Sequence, residues 1–199
     1  MSGGKEARPA DFLSGYGQTV EKQPTFATVN IGLISDTHSY IDDRILEFFQ
    51  DCDEIWHAGD IGDLAVTDAL RTVAPVRGVY GNIDDHKIRS EFPLHERFVV
   101  KGLRVWMTHI GGRPGKYDHR IREQLFAYKP DLFICGHSHI CKVQHDPKIQ
   151  GLYMNPGAAG VKGFHKVRTL LRFKINGGKP DKLEVVELGL RAGHQPASL

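Results

Sequence analysis

The chain has little cysteine, no long apolar run and almost no excess charge. Its three cysteines, Cys52, Cys135 and Cys141, are an odd number without paired-thiol spacing. That argues against a disulfide framework and for reduced residues of a cytoplasmic protein. No apolar stretch approaches the length of a transmembrane helix. The first residues lack the basic and then apolar regions of a signal peptide. Both absences point to the cytoplasm and away from a membrane. The formal net charge is only +2, without the basic excess of a dedicated nucleic-acid binder. Enzymes acting on small phosphates stay open. What remains is 199 residues, enough for one domain with a proper core and too few for two comfortable ones.

Residues 1–28 are rich in Gly, Pro, Gln and charge, and read as a flexible arm or one that docks in a homo-oligomer. The compact domain is expected over 29–188, with a loose tail over 189–199. Val29 to Ile34 has the pattern of a buried strand. Ile41, Ile45, Phe48, Phe49 and Cys52 follow at helical spacing, with Asp42 or Asp43 as the cap. Glu54 to His57 is a second strand, and Asp63 caps a helix carrying Val66, Ala69, Leu70 and Val73. Val76 to Tyr80 is a third strand. This alternation predicts parallel crossover units and an α/β fold. Arg97 to Lys101 and Leu103 to Thr108 predict a hairpin around Gly102. Tyr117, Ile121, Leu125 and Tyr128 mark a helix, and Asp131 to Cys135 a strand. Lys142 to His145, Leu152 to Met154, Val167 to Ile175 and Leu183 to Leu188 are expected as successive strands of a second sheet. Asn176-Gly177-Gly178 is the turn between the last two.

Five polar clusters follow apolar runs: Asp36-Thr37-His38, Gly59-Asp60, Gly81-Asn82, His109-Ile110-Gly111 and Gly136-His137-Ser138-His139. In an open parallel sheet, ligands bind beyond the carboxyl ends of the strands. These clusters would therefore meet at one place. They offer two aspartates, one asparagine and four histidines, a donor set for manganese, iron, nickel or zinc. Seven donors exceed one tetrahedral ion and suit two ions that share a carboxylate. Alternation of side chains would let Asp36 and His38, and likewise His137 and His139, face one side. The glycines at 59, 81, 111 and 136 suit sharp turns. Singly, each piece has a plainer explanation. Asp36 reads as a cap, Gly59-Asp60 and Gly81-Asn82 as turns, and His109 as a satisfied histidine. The ordered set carries the weight.

The order D-x-H, G-D, G-N, H, G-H-x-H resembles the calcineurin-like metallophosphoesterases over about Ile31 to His139, and the Asn155-Pro156-Gly157 turn fits too. The length resembles the compact branch of small phosphodiesterases. The resemblance implies a four-layer α-β-β-α sandwich: two mixed sheets with helices on both outer faces. It implies two divalent ions, manganese first, with iron, nickel, zinc or cobalt as alternatives. Asp36, His38 and His139 would hold one ion, Asn82, His109 and His137 the other, and Asp60 would bridge them. Asp36, His38, Asp60, Asn82 and His109 would then serve catalysis through a metal-activated hydroxide, without a protein nucleophile. Two ions roughly 3.5–4 Å apart can orient the phosphorus and stabilise both the attacking and the leaving oxygen.

Many relatives read Gly-Asn-His-Asp where this chain has Gly81-Asn82-Ile83-Asp84. Ile83 cannot protonate a leaving group, which points to diesters with good leaving groups rather than to monoesters. His86 and His165 are spare histidines that could stand in as the acid. Asp84 is expected to orient a ligand from behind, and His57 reads either as such a donor or as a strand-end histidine of the core. Arg113 and Lys116 are expected to meet phosphate oxygens at the mouth. Arg120, Lys162, Lys166 and Arg168 are weaker candidates for the same rim. The expected partner is a small phosphodiester. Rival readings are a non-catalytic binding scaffold on the same fold, as in the retromer subunit that resembles this family, and a phosphomonoesterase.

Overall fold

The computed structural model describes Met1, residues 28–164 and residues 166–191. The expected arm, apart from its ends, and most of the expected tail lie outside the described residues, as does His165. The chain runs β1 (Val29–Ile34), α1 (Asp43–Phe49), β2 (Glu54–His57), α2 (Leu64–Arg71), β3 (Val76–Gly78), α3 (His86–Glu91), β4 (His95–Val100) and β5 (Leu103–Thr108). It continues through β6 (Gly112–Arg113), β7 (Lys116–Tyr117), α4 (Arg122–Tyr128), β8 (Leu132–Ile134), β9 (Cys141–Asp146), β10 (Gly151–Pro156), β11 (Val167–Asn176) and β12 (Lys179–Leu190).

Two five-stranded mixed sheets result, in the orders β12-β11-β1-β2-β3 and β4-β5-β8-β10-β9, beside a small β6-β7 ribbon. Each sheet contains three adjacent parallel strands, β1-β2-β3 in one and β5-β8-β10 in the other. Alternation along each strand assigns its two faces. Ile31, Leu33 and Trp56 meet Val105, Met107, Leu132 and Ile134 between the sheets. Ile34 and Ile55 turn outward to Ile45 and Phe49 of α1, Val66 and Leu70 of α2, and Ile88 of α3. Trp106, Phe133 and Tyr153 turn outward on the other side, to Ile121 and to Leu125 of α4. The order is helices, sheet, sheet, helix, as expected. Each fully buried aliphatic or phenyl side chain contributes about 2 kcal/mol. Gly32 lets α1 come close: a Cβ there would lie 2.6 Å from the Phe49 ring.

Asp42 caps α1 by accepting from the Ile45 N–H at 3.1 Å, and Asp63 caps α2 by accepting from Ala65 N–H at 2.9 Å. Three details differ from expectation. Tyr117 lies in β7, and α4 begins only at Arg122. The last strand runs to Leu190, so Gly189 and Leu190 belong to the sheet, and Arg191 behind it is buried. Most importantly, only β9 and β10 join the second sheet. β11 returns to the first, antiparallel to β1 with Ile31 opposite Phe173, and β12 follows it to the edge. The reason is burial on both faces. Leu170 packs under the helices while Leu171, Phe173 and Ile175 fill the space between the sheets. Such a strand needs cover on both sides, and the open flank of β1 supplies it. Gly177 and Gly178 close this hairpin with φ of +54° and +74°, as a two-residue turn of primed type requires.

Candidate metal centre

Parallel strands deliver the polar clusters to one edge. Asp36 and His38 follow β1, Asp60 follows β2, and Asn82 follows β3. From the other sheet, His109 follows β5, and His137 and His139 follow β8. The backbone there is not extended. Asp36, His38, Asp60, His137 and His139 have φ of +54°, +49°, +53°, +67° and +57°. Left-handed backbone costs an L-residue about 1 kcal/mol or more, so five such residues need support. Asp36 N–H donates to Gly59 O at 2.9 Å, and His38 N–H to Asp60 O at 3.0 Å. Strand alternation is therefore not what orients these side chains. His137 and His139, two apart, in fact go to different groups.

The side chains form two sets of three. Asp36, His38 and His139 offer donor atoms within 4.8 Å of one another, and so do Asp60, His109 and His137. In the first set, His139 Nε2 lies 3.1 Å from Asp36 Oδ1 and 3.3 Å from His38 Nε2. In the second, His109 Nε2 lies 3.2 Å from Asp60 Oδ1. The other oxygen of Asp60, Oδ2, lies 3.8 Å from His38 Nε2. Asp60 thus faces both sets with different oxygens.

The donors fit cations. His109 Nδ1 lies 2.8 Å from the Ala58 carbonyl, which can only accept, so Nδ1 carries the proton. Its Nε2 then faces a carboxylate oxygen, so either a proton or a metal cation lies between them. Asp36 Oδ1 and His109 Nε2 are buried and lack hydrogen-bond partners among the described residues. Asp36 and Asp60 are 0% and 2% exposed, yet imidazoles are their only ion-pair partners among the described residues. Burial pushes the pKa of His38 and His137 down despite the nearby carboxylates, keeping lone pairs free for a metal. Burial also opposes charge on His109, but Asp60 and Asp36 outweigh it and raise its pKa. Asp60 is likewise penalised by burial, and its His109 contact still takes it below the usual carboxylate range.

Two of the glycines serve space rather than turning. A Cβ on Gly81 would lie 2.0 Å from Asp60 Oδ1, and one on Gly136 would lie 2.0 Å from Ser35 Oγ and 2.8 Å from Asp36 Oδ2. Behind the ligands stands a polar frame. Ser35 Oγ donates to Asp36 Oδ2 at 2.6 Å. Asp84 accepts from the N–H groups of Gly81 (2.7 Å), Gly62 (2.7 Å) and Ile61 (3.2 Å), tying two loops together. His57 accepts from Gly59 N–H at 3.2 Å and reaches Thr37 Oγ1 at 3.0 Å. Asn155 Nδ2 donates to Gly136 O at 2.8 Å and to Ser138 Oγ at 3.1 Å. Ser35 and Thr37 carried no motif signal of their own, beyond flanking a candidate ligand.

Asn82 is exposed and lines a cavity of about 330 Å³ that also contains His109. Arg113 and Lys116 line a second groove that reaches His137. Arg120 is held by Asp118 at 2.9 Å. Arg168 is not at the rim. It is buried, donating to Ala159 O at 2.6 Å and Asp42 Oδ2 at 2.9 Å beneath the Tyr40 ring. The backbone carbonyls of Lys162 and Lys166 accept from Arg191. His86 opens α3, exposed, and Ile83 is 46% exposed.

The model of the calcineurin-like phosphoesterase superfamily domain matches residues 29–178. A probable metallophosphoesterase of Methanothermobacter thermautotrophicus is 31% identical over 168 residues, covering 80% of this chain and 92% of that protein. Among solved structures, a novel archaeal phosphodiesterase superposes with a TM-score of 0.62 at 20% identity, over 80% of this chain and 99% of that one. Wild-type Vps29 of Entamoeba histolytica, complexed with zinc, gives 0.61 at 19% identity, over 79% and 98%. At these identities the two structures speak for the fold alone.

Proposed function

The chain belongs to the calcineurin-like phosphoesterase superfamily, and from that premise we propose that it is a metal-dependent phosphodiesterase. The observation that carries this reading is the pair of three-residue sets joined by Asp60. Asp36, His38 and His139 would hold one divalent cation, and His109, His137 and Asn82 a second, with Asp60 shared. Manganese is the first expectation, with iron, nickel, zinc or cobalt as alternatives. Two cations there would supply an activated water and positive charge for the phosphate oxygens. The side chains supply position. Ala58 O keeps His109 Nε2 turned to Asp60. Ser35 occupies one oxygen of Asp36 and leaves the other aimed at His139. Arg113 and Lys116 would meet anionic oxygens of the substrate.

No side chain serves as nucleophile in this reading. Ile83 is exposed and apolar where a proton donor would help. That favours diesters with good leaving groups over monoesters. The same residue is what favours a rival, a binding scaffold without turnover. The deciding experiment strips the chain with chelator and reloads it with manganese, nickel, zinc or magnesium. Metal content is measured beside hydrolysis of a chromogenic phosphodiester and its monoester. Diester cleavage that needs about two metals per chain and fails in His109→Ala supports the enzyme. Two bound metals with neither ester cleaved supports the scaffold.

A further inference from the structure

Two unlike grooves meet at this centre and share Ile110. One, of about 330 Å³, lies on the Asn82 and His109 side, with Tyr80, Leu94 and Ile121 in its wall; its two arginines are already engaged, Arg89 by Asp84 O and the Tyr80 ring and Arg120 by Asp118. The other, of about 790 Å³, starts at His137 and is basic, with Arg113, Lys116, Arg122 and Lys142 along it. Its one carboxylate, Asp118, is taken up by Arg120 through contacts of 2.9 and 3.0 Å. Among the described residues no acid lies in ion-pair contact with any of the four basic side chains.

Two of these cations are also paired against each other. Arg113 and Lys116 are direct cross-strand neighbours in the β6-β7 ribbon, a placement that destabilises a ribbon rather than supporting it. The ribbon is nevertheless held firmly. Tyr153 OH, from a 1% exposed residue, donates to Gly112 O at 2.9 Å, and Tyr117 OH donates to Asp146 at 2.6 Å. A rigid mount for repelling, unpaired cations beside the phosphate site suits an anion that arrives with the substrate.

We infer that the basic groove binds a second anionic group of the substrate, so that the preferred diester carries a ring-bearing leaving group on one side and a further phosphate on the other. This rests on the phosphodiesterase reading above and adds the substrate's polarity to it. The leaving group lies in the smaller cavity beside His109. The second phosphate lies among Arg113, Lys116, Arg122 and Lys142. Of these, Arg122 and Lys142 drew no attention in the sequence, because they belong to separate elements.

A matched pair tests it: thymidine 5′-(4-nitrophenyl phosphate) with and without a 3′-phosphate, given to the metal-loaded full chain. The 3′-phosphorylated ester should have a kcat/KM about tenfold or more higher, mostly through KM. Within Arg122→Gln/Lys142→Gln that ratio should fall towards one, and Lys142→Arg should keep it. Equal efficiency for the two esters, or a preference that survives the double substitution, overturns the inference while leaving the phosphodiesterase standing. If neither ester is cleaved, the phosphodiesterase reading falls instead, and binding decides the groove. Calorimetry on the metal-free chain should then give thymidine 3′,5′-bisphosphate tighter than thymidine 5′-phosphate. Equal affinity refutes the groove on its own.

Discussion

Two buried histidines end core strands of this molecule, and they do opposite things. His57 closes β2 and His109 follows β5, with exposures of 0% and 1%. What separates them is the partner of Nδ1. In His57 that nitrogen accepts from Gly59 N–H, so Nε2 carries the proton and is spent on Thr37. In His109 it donates to Ala58 O, and Nε2 is turned to Asp60. Burial drives the His57 pKa down to about 4. The carboxylates beside His109 overcome burial and raise its pKa. One ring is a strut between loops and the other a candidate ligand. The choice is made by one backbone hydrogen bond, not by residue type or depth.

The contrast can be broken first at the ligands. Asp60→Ala should lose metal at both positions and about a thousandfold or more in turnover. Elemental analysis beside the diester assay checks this, and full occupancy would refute the shared role of Asp60. His109→Ala should match that loss of turnover. His57→Gln should act on stability instead. Leaving Thr37 and Gly59 poorly satisfied in the core should cost about 2–3 kcal/mol in denaturant unfolding. Metal stoichiometry should survive, with affinity lowered about tenfold.

Acidity sharpens the contrast in the metal-free chain. His57 has a folded pKa of about 4 against 6.5 for the free side chain. As pH falls below 6.5 the unfolded chain takes up the proton first. Stability owed to His57 is whole above that value and falls away down to about 4, by about 3 kcal/mol in all. His109, with its raised pKa, contributes stability below the ordinary value and loses it as pH rises through the folded one. The slopes therefore oppose each other. Unfolding free energies should lose their fall between pH 6.5 and 4.5 in His57→Gln, and lose their fall as pH rises above 6.5 in His109→Gln. The smallest effect is expected from Thr37→Val, about 1 kcal/mol, with metal content intact.

Much of this architecture was legible beforehand. The bounds of β1, β2 and β5 and the cap Asp63 follow from local pattern alone, which also narrows the α1 cap to Asp42 or Asp43. So does the order of the ligand clusters, since parallel strands must end at one edge. Other features are not local. α3 is six residues with a single buried side chain, Ile88, too little to show periodicity. The destination of β11 depends on pairing with β1 well over a hundred residues away. Arg168 carries a charge that suggests a surface, and only the fold brings Asp42 and Tyr40 around it. The left-handed backbone at five candidate ligands is only weakly written in residue type: Asp and His adopt it more readily than most residues, but neither requires it. His57 and His109 look alike until the carbonyl of Ala58 is in place.

Each set of three donors draws on both sheets. Asp36 and His38 come from the β1 side while His139 comes from the β8 side, and Asp60 meets His109 and His137 in the same way. A cation seated in either set would act as a rivet through the two layers. Prying the sheets apart at this edge would mean releasing it, so metal concentration would set how often the edge opens. Amide protons of Leu33, Ile34 and Ile134 would exchange on a clock wound by the metal, slowing in proportion to its excess over the dissociation constant.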